Sequence, residues 1–429
     1  MVEQVRTVES IIAQENGCMN KGKLPTLSPK LEQLLLRQCG LAPEEPFTGK
    51  ALHQIAHAVK TISDHYITTS AENIPDFFQN AVLLHAYLLY YLPVNLVKLF
   101  GIADELAATN FSVLPRSPQL RVLDLGCGPG TYLLGFLELV RKYRAAFSTT
   151  ASITWVGIDR SRAALNTAAR LLQEYRAAEK TFASPACTGS FQQALLAPAH
   201  LRTALRKYDN PFHIIIAGNV VTELNPPEVQ RLLPEIVEHM EPDGLLLVID
   251  PGTKKSFPKF LALREAALRS SLLQVYAPCL QFAPCPLVAH SSAWCHALLH
   301  WEPPRCVALL DRVLPFDKKS GIAYSYLVFT KQPADRLAPY PDVPRDTVWR
   351  VVSSVMHSRG EEKMYVCNGR QRVLLRRLIK NATKSNSDFP ESQRGSLVVV
   401  RDYEDRGHFF DIRPETVFQN LYLPGSLLV

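Results

Sequence analysis

Residues 121–131, RVLDLGCGPGT, are the stretch of sequence that decides the fold. An aliphatic run, VLDL, leads into three glycines at two-residue spacing, Gly126, Gly128 and Gly130. Such a run followed by close glycines predicts a buried strand that turns sharply into a helix. Glycine allows the backbone to make that turn and leaves room for a ligand to approach it. The spacing differs from the G-x-G-x-x-G of dinucleotide-binding proteins, so NAD is not the first choice of ligand.

The glycine-rich turn resembles motif I of class I S-adenosylmethionine-dependent methyltransferases. That resemblance implies binding of S-adenosylmethionine (SAM) at Gly126, Gly128 and Gly130. Asp124 lies just before the turn, at the position that helps hold the amino-acid end of the cofactor in those enzymes. The alternative for Asp124 is a carboxylate that accepts hydrogen bonds from backbone N–H groups of the turn.

Alternating strand and helix patterns run from about residue 118 to 331 and predict a parallel α/β sheet. The expected strands are 121–125, 153–159, 212–219 and 244–250, and the expected helices are near 130–146, 161–178, 226–240 and 256–272. Ser161 is the expected N-cap of the second helix. Residues 180–200 carry no clear pattern. Residues 307–316 and 322–331 predict an antiparallel hairpin.

The chain as a whole is expected to be an α/β protein, in which a class I methyltransferase (Rossmann-like) sheet carries a helical N-terminal region and a small C-terminal β-rich domain. The expected divisions are a helical region at 1–115, a methyltransferase-like domain at 116–331 with a cysteine-rich loop at 277–300, a proline-rich linker at 332–346 and a β-barrel or sandwich at 347–429.

Within the helical region, Asn80 is expected to cap a helix that runs through Leu92, where Pro93 forces a break. Residues 81–100 are the most apolar long segment, but polar residues and Pro93 interrupt it. We therefore expect core helices here, not a membrane span. Three tyrosines at 87, 90 and 91 are expected to pack in the core with polar tips at the surface. A lid over a ligand pocket is the alternative.

Ligands of open α/β sheets bind beyond the carboxyl ends of the strands, which directs attention to three further positions. Asp159 ends the second strand, where a carboxylate can accept hydrogen bonds from a ribose diol; the alternative is a helix-capping role. Asn219 follows the strand at 212–219, where amino-methylating enzymes carry an (Asn/Asp)-Pro-Pro-(Tyr/Phe) motif, but this chain has AGNVVTELN. We include Asn219 among the cofactor-binding candidates. Glu223 is either a general base or a surface or capping residue.

Composition limits the class of protein. The 429 residues suffice for two or three domains, and 47% hydrophobic with 20% charged residues is ordinary for a soluble globular chain. The net charge of +7 is compatible with nucleic acid only where it is localised. No signal peptide or transit peptide is evident in residues 1–16. Nine cysteines without a secretion signal indicate a reducing compartment, and a bacterial-type cytoplasm is the expected location.

Three cysteines, Cys279, Cys285 and Cys295, cluster in the proline-rich segment APCLQFAPCPLVAHSSAWCH. Proline beside cysteine keeps the segment out of helix and sheet and can leave thiolates converging on a metal. The C-x5-C-x9-C spacing is not that of a zinc finger or a bacterial ferredoxin. The alternative is three small buried hydrophobic residues. A fourth ligand would be Cys367, His296 or His300.

A basic stretch, RQRVLLRRLIKNATK at 370–384, lies in the β-rich region. Its basic residues are Arg370, Arg372, Arg376, Arg377, Lys380 and Lys384. Such a stretch can follow an RNA backbone. The alternative is a solvated strand face.

Taken together, the sequence resembles the small-ribosomal-subunit methyltransferase-like assembly proteins of mitochondria and their bacterial relatives. The resemblance covers roughly residues 80–415. It depends on VLDLGCGPGT (122–131), AGNVVTELNP (217–226), LVIDPGT (247–253), the APC…APCPL…WCH segment (277–296) and LPFDKKSGIAYSYLV (314–328).

The resemblance implies an iron–sulfur cluster, of the 4Fe–4S type, bound by Cys279, Cys285, Cys295 and Cys367, with zinc as the less favoured metal. It also implies SAM binding at the glycine turn and Asp159, and the small ribosomal subunit and its rRNA as partners; neither a membrane nor DNA is expected. Three hypotheses follow: a SAM-binding methyltransferase acting on rRNA, a non-catalytic assembly factor that keeps the fold and cluster, and a small-molecule methyltransferase with structural zinc.

Overall fold

The structure is a computed structural model, and it describes residues 24–44, 47–68, 75–110, 117–179, 186–289, 293–316 and 318–426. The sequence features named above for residues 1–16 lie outside this part of the chain. Two sheets of eight strands each organise the described residues, and helices surround the first of them.

The helices are α1 (Pro29–Gln38), α2 (Gly49–Thr68), α3 (Ala81–Ala86), α4 (Leu92–Leu96), α5 (Lys98–Asn110), α6 (Thr131–Lys142), α7 (Arg162–Ala178), α8 (Pro198–Leu205), α9 (Pro226–Glu238), α10 (Phe257–Ser270) and α11 (Arg305–Leu310). The strands of the first sheet are β1 (Gln119–Leu125), β2 (Ser152–Asp159), β3 (Ala186–Gln193), β4 (Phe212–Gly218), β5 (Met240–Pro251), β6 (Gln274–Ala277), β7 (Ala297–His300) and β8 (Gly321–Thr330). Those of the second are β9 (Val348–Val351), β10 (Met356–Ser358), β11 (Glu361–Cys367), β12 (Arg372–Leu378), β13 (Leu397–Arg401), β14 (Glu404–Asp405), β15 (Phe410–Ile412) and β16 (Val417–Tyr422).

The first sheet has the order β3-β2-β1-β4-β5-β8-β6, with β7 also paired to β8. Its first five strands are parallel, and β8 runs antiparallel to β5. Successive residues of β1 face opposite cores: Val122 packs in the core under the N-terminal helices, and Leu123 in the core under α9 and α10. Burial on both faces explains the unbroken apolar strands. The expected α/β fold class, with its helical N-terminal and β-rich C-terminal regions, is confirmed.

The expected hairpin at 307–316 and 322–331 is wrong in its first half. Residues Arg305–Leu310 form α11, and only Gly321–Thr330 is a strand. The buried residues of α11 are Cys306, Val307 and Leu310, which share one helical face. A short apolar run fits a strand and a buried helical turn equally well by periodicity. Pro304 at the N-cap is compatible with the helix.

The helical region also departs from expectation at Pro93. Asn80 does cap α3, because its side chain accepts hydrogen bonds from Val82 and Leu83 N–H. A π-helical turn, Tyr87–Tyr91, then leads directly into α4, and Pro93 lies in the first turn of that helix. In the π-helical turn the Leu92 N–H donates to Tyr87 O, so the wider turn comes just before the proline, which itself has no N–H to donate. The helical path therefore continues where a break was expected.

One helical run among the described residues, Ala81–Thr109, is long and apolar enough to cross a membrane by length and composition. Core helices of soluble proteins pass the same test, and 78% of its most apolar window is buried inside this protein. Tyr87 and Tyr90 are buried, and the Tyr90 hydroxyl donates to Asp311 at 2.9 Å. This burial matches the expected core role of the segment.

The second sheet has the order β14-β15-β12-β11-β9-β13-β16, with β10 paired to β11. Its own apolar core includes Trp349, Met364 and Phe418. The proline-rich segment 332–346 connects the two sheets and is itself packed: Leu337 is buried with Val348 and Leu397 of the second sheet.

A buried ion-pair network joins the two sheets. Glu105 of α5 accepts two hydrogen bonds from Arg350 of β9, at 2.5 and 2.9 Å, and others from Arg336 and the Tyr326 hydroxyl. Burial alone would raise the pKa of Glu105, but Arg350 and Arg336 outweigh it and lower that pKa. Beside it, Asp104 accepts hydrogen bonds from the Tyr422 hydroxyl at 2.6 Å and from Gly425 N–H at 2.7 Å. Helix α5 is thus the surface on which the second sheet docks.

We predict that Glu105→Ala lowers the free energy of unfolding by roughly 3–5 kcal/mol, because it leaves the buried Arg336 and Arg350 without their shared carboxylate. Glu415 is exposed between β15 and β16 of the second sheet. Glu415→Ala is the control, and we expect it to change the free energy of unfolding by no more than about 0.5 kcal/mol. Urea denaturation monitored by circular dichroism measures both. Equal stability of the two variants would contradict a structural role for the network.

Candidate functional site

The glycine turn lies between β1 and α6 and is tied to β2. The N–H groups of Gly126 and Cys127 both donate to Ile158 O, at 2.8 and 3.0 Å. Gly126, Gly128 and Gly130 have φ of 69°, 50° and 87°, a region that favours glycine. A Cβ at Gly126 would also lie 2.5 Å from the Val220 side chain. The turn thus keeps its backbone close to the residues after β4.

Asp159 ties the end of β2 to this turn. One carboxylate oxygen accepts the Gly128 N–H at 2.8 Å, and the other accepts the Ser161 N–H at 2.8 Å. Burial raises the pKa of Asp159, and these two hydrogen bonds oppose the rise. The helix cap itself is the Ser161 side chain, which accepts from Ala164 N–H. Since each carboxylate oxygen has two acceptor positions, Asp159 retains capacity to accept from a ribose hydroxyl.

Asp124 is fully buried at the end of β1. Among the described residues, neither of its carboxylate oxygens has a well-aligned hydrogen-bond partner, although the Leu133 backbone lies close enough to stabilise the charge. Burial, reinforced by the charge of Asp159, raises the pKa of Asp124 well above its usual range. A buried carboxylate with so little hydrogen-bond donation is costly unless a cation pairs with it. The site therefore fits a ligand that brings an ammonium group to Asp124.

The residues after β4 form the other wall of the candidate pocket. Asn219 has φ of 58°, and its side-chain oxygen is buried with no hydrogen-bond partner in the part of the chain that the structure describes. Glu223 lies neither at a helix cap nor free at the surface: it is half-buried and interacts with Tyr66 of α2. Burial raises the pKa of Glu223 to about 7, and Asp159 adds to the rise, while Arg160 opposes it.

Aromatic residues of the helical region cover the glycine turn: Tyr87, for which a lid was the alternative, and Phe78, which the sequence did not single out. A Cβ on Gly128 would lie 3.6 Å from the Phe78 ring, and Phe78 packs edge-on against Tyr87 at 5.1 Å. The Tyr87 hydroxyl lies 3.5 Å from the Thr131 hydroxyl at the start of α6. Tyr87 therefore belongs both to the core and to the cover of the pocket. Only the fold brings Phe78 over the turn, since the two are 50 positions apart in the sequence.

The four candidate ligand cysteines interact electrostatically across the two sheets; we name Cys279, Cys285, Cys295 and Cys367 the thiol site. Burial raises the pKa of Cys295 to about 12, and Cys279 and Cys367 add to the rise. Burial likewise raises the pKa of Cys367 to about 11, with further contributions from Cys279 and Cys285. Three thiols come from the loop after β6, and Cys367 ends β11 of the second sheet.

The turn after Cys367 packs directly on the loop that carries the other cysteines. Gly369 has φ of 92°, and a Cβ there would lie 2.9 Å from Gln281 N. The Gly369 N–H donates to the Cys367 sulfur at 3.4 Å. This close approach between the two sheets requires glycine.

Side chains of α10 hold the cysteine-rich loop in place. Arg264 Nε donates to the Cys279 sulfur at 3.4 Å, and Arg264 Nη2 donates to Ala283 O at 2.7 Å. Glu265 accepts the Cys285 N–H at 3.2 Å. In the described residues, no three His, Cys, Asp or Glu side chains are already positioned as ligands of one metal ion. The four thiols are thus close enough to affect one another's pKa, but their sulfur atoms do not meet at a common point where a metal could bind.

The two histidines considered as alternative ligands lie close by in sequence. His296 stacks on Trp294 with ring centroids 5.6 Å apart, and its Nδ1 is buried without a hydrogen-bond partner among the described residues. Burial and the charge of Arg394 lower the pKa of His296 to about 4. His300 is exposed at the end of β7.

The basic stretch 370–384 divides into structural and exposed residues. Arg377 is buried and pairs with Glu362 and Asn386, and Arg376 pairs with Asp411. Arg372 lies over the Tyr365 ring at 3.8 Å. The exposed basic residues are Arg370, Lys380 and Lys384. Two of the six basic residues thus have carboxylate partners inside the β-rich region.

We predict that Gly369→Ala destabilises the protein more than Gly360→Ala does. Both glycines have positive φ, 92° and 82°, so both substitutions introduce backbone strain of roughly 1–3 kcal/mol. Only at Gly369 does the added Cβ also meet a neighbour, because nothing lies within 4 Å of a Cβ at Gly360. The midpoint of thermal unfolding compares the two variants. Equal shifts would show that the contact with Gln281 does not constrain the fold.

The chain is similar to several known proteins. One similar solved structure is a magnesium protoporphyrin IX methyltransferase from Synechocystis PCC 6803 with bound SAM, which is 14% identical over 64% of this chain and 97% of that one, with a TM-score of 0.30. Another is a SAM-dependent methyltransferase from Leishmania major, 13% identical over 66% of this chain and 87% of that one, with a TM-score of 0.33. A third is a protein from Listeria monocytogenes assigned to class I SAM-dependent methyltransferases, 12% identical over 71% of this chain and 88% of that one, with a TM-score of 0.34. A comparison with curated protein sequences found no match.

The sequence also matches a protein-family profile over residues 81–396, a range that includes the glycine turn, the residues after β4 and the whole thiol site. The family is described as mitochondrial small ribosomal subunit Rsm22. With about three quarters of its length inside that match, this chain belongs to the Rsm22 family.

Proposed function

We propose that this protein binds SAM and acts as a methyltransferase-like factor on the small ribosomal subunit, either by methylating its rRNA or by assisting its assembly. The observation that carries the proposal is the buried Asp124, which pairs with no cation among the described residues, beside a glycine turn in a chain of the Rsm22 family. The family's printed description supports the small subunit as partner.

Each end of the cofactor has a candidate partner in this proposal. Asp124 would hold the ammonium of the methionine end, and Asp159 the ribose hydroxyls. The backbone at Gly126, Gly128 and Gly130 would let the ligand approach the turn, and Asn219 would add an amide oxygen from the opposite wall. SAM supplies an activated methyl group, so the protein's task is to position donor and acceptor in line and to exclude water.

The acceptor side of the pocket supports a second candidate, a non-catalytic assembly factor. The residues AGNVVTELN stand where amino-methylating enzymes grip a base amine, and no Asn/Asp-Pro-Pro-aromatic motif is present there. The small-molecule methyltransferase with structural zinc has less support, because the family description names a ribosomal subunit.

We further propose that the thiol site binds a 4Fe–4S cluster, with zinc as the alternative metal. The donors fit either, since both accept four cysteine thiolates. The four cysteines are half-buried, and the hydrogen bonds to the Cys279 and Cys367 sulfurs suit a centre whose thiolates accept N–H donors. The resemblance of the APC…APCPL…WCH segment favours the cluster.

The exposed basic residues of the β-rich region, Arg370, Lys380 and Lys384, are the proposed contacts to rRNA phosphates. Arg372 and Tyr365 form a neighbouring stacked pair, a surface on which an unpaired base could stack. The buried Arg377 has no part in this surface.

We predict that Asp124→Asn weakens SAM binding at least tenfold, because the neutral amide no longer pairs with the ligand's ammonium. Isothermal titration calorimetry of the full chain measures the affinity. Asp243→Asn, an exposed substitution before the buried part of β5, is the matched control and should bind like the unaltered protein. No heat with the unaltered protein, or equal affinity of both variants, would contradict the proposed pocket.

The same variant separates the two candidate functions in cells. Methylation of small-subunit rRNA is mapped in a deletion strain that carries the unaltered protein, Asp124→Asn or Asp243→Asn. A nucleotide that loses its methyl group with Asp124→Asn alone would support catalysis. Normal methylation together with a subunit-assembly defect in the deletion strain would favour the assembly factor.

A further inference from the structure

We propose that the stacked pair Trp294–His296 is a platform on which an unpaired base of an RNA strand stacks, beside the candidate cofactor pocket. This inference rests on the proposed function and deepens it, because it names the segment that the protein takes: a single-stranded part of small-subunit rRNA. The platform depends on no metal at the thiol site.

Strand register places the pair at the ligand edge of the first sheet. Ala297, the first residue of β7, pairs with Tyr324 of β8, and Tyr324 pairs on its other side with Pro251 at the end of β5. Trp294 and His296 come just before β7, so they lie level with the carboxyl ends of the parallel strands. Ligands of open α/β sheets bind at that edge.

Hydrogen bonds and close packing hold Trp294 at this edge. Its Nε1 donates to Gly252 O, in the loop after β5, at 3.1 Å. The Ser325 hydroxyl donates to Cys295 O at 3.0 Å and fixes the backbone between the two rings. A Cβ on Gly252 would lie 2.9 Å from the His296 Cβ, so the loop after β5 packs directly against the pair. A surface that is already ordered loses little conformational entropy when a base binds to it.

Trp294 presents aromatic surface to solvent, unlike the other tryptophans of the chain. It is 37% exposed, whereas Trp155, Trp301 and Trp349 are at most 5% exposed. The His296 ring stacks on the indole, with centroids 5.6 Å apart and planes inclined by 20°. The exposed part of the indole can stack on any base, because every base has a π-face.

The charges beside the platform favour a polyanion. The segment after Gly252 reads TKKSFPK, which has three lysines and no acidic residue, and Lys254 and Lys255 are exposed. Residues 293–300 also contain no acidic residue. A base stacked on Trp294 would therefore carry its phosphates into a basic neighbourhood. An apolar protein segment would gain nothing from these lysines, so single-stranded RNA is the favoured partner.

The segment between β6 and β7 also contacts the other surface that we propose to bind rRNA. A Cβ on Gly369 would lie 2.9 Å from Gln281 N, and Gly369 directly precedes Arg370. The segment thus meets the basic stretch at Gln281 and the edge of the pocket at Trp294. An RNA strand bound at both surfaces would present an unpaired nucleotide to the pocket, which a regular duplex does not do.

The test measures how the full chain binds a fluorescein-labelled RNA of about 12 nucleotides, as a single strand and annealed to its complement. We expect the single strand to bind more tightly. Trp294→Leu should weaken single-strand binding at least roughly fivefold, because it removes the stacking ring. Trp294→Phe keeps a ring and should stay within roughly twofold of the unaltered protein. Leu272→Ala is the matched control, because Leu272 is 38% exposed at the opposite edge of the sheet, before β6.

Tryptophan fluorescence gives a readout that a folding defect would not imitate. Since Trp294 is the most exposed of the four tryptophans, a base that stacks on it should quench the emission of the unaltered protein. Trp294→Phe should bind the RNA without this quenching. Quenching that persists in Trp294→Phe would overturn the platform.

The outcomes separate this inference from the proposed function. Unaltered protein that binds neither RNA form would overturn the platform together with rRNA as the partner. Equal affinity for single strand and duplex, or equal affinity of Trp294→Leu and Trp294→Phe for the single strand, would overturn the platform alone. Unchanged RNA affinity of Trp294→Leu, with lost co-sedimentation with purified small ribosomal subunits, would assign Trp294 to a protein partner and likewise overturn it. SAM titration of the same variants should give the unaltered affinity.

Discussion

The buried carboxylate of Glu105 is the constraint on which the arrangement of the two sheets depends. It lies on α5, at the start of the first sheet's domain, and it pairs with Arg350 at a sequence separation of 245 residues. A buried ion pair adds little net stability compared with apolar packing, but removal of one partner strongly destabilises the fold because the other charge stays buried without its partner. Such a pair therefore specifies one docking position. Around it, Asp104 binds the end of the chain through Tyr422 and Gly425, and Leu337 adds apolar contact.

The docking of the second sheet on α5 places Cys367 near the loop that carries the other three cysteines of the thiol site. With the second sheet fixed on α5, the turn at Gly369 packs on Gln281, and Cys367 faces a loop that carries three other cysteines. Three thiols of the site come from the loop after β6 of the first sheet, and the fourth, Cys367, comes from β11 of the second. A centre at this position would join the β-rich region to the methyltransferase-like sheet at a second point, beside the network of Glu105. The position of the glycine turn does not depend on the second sheet, because β1, β2 and α6 hold the turn within the first sheet's domain.

Short sequence patterns predicted the strands and helix caps that depend on interactions between neighbouring residues. The strand before the glycine turn, the Ser161 cap and the Asn80 cap could all be read from a few neighbouring residues. Residues 307–316 could not, because a short apolar run satisfies both a strand and a buried helical turn. The continuous helix through Pro93 could not be predicted either, because it depends on a π-helical turn that has no recognisable sequence pattern. Phe78 over Gly128 and Arg350 beside Cys295 arise only from tertiary packing. The roles of Arg376 and Arg377 were equally hidden, since their carboxylate partners lie on other strands.

The proposed metal centre would take its ligands from both sheets, and X-ray absorption at the metal edge tests that proposal most directly. The unaltered protein is expected to give a shell of four sulfur atoms at about 2.3 Å, with additional metal–metal scattering if the centre is a cluster. Cys367→Ser should lose the metal or one sulfur ligand, whereas Cys187→Ser, a buried cysteine of β3 outside the site, should leave the shell unchanged. Nitrogen in the shell of the unaltered protein, or an unchanged shell in Cys367→Ser, would contradict the claim.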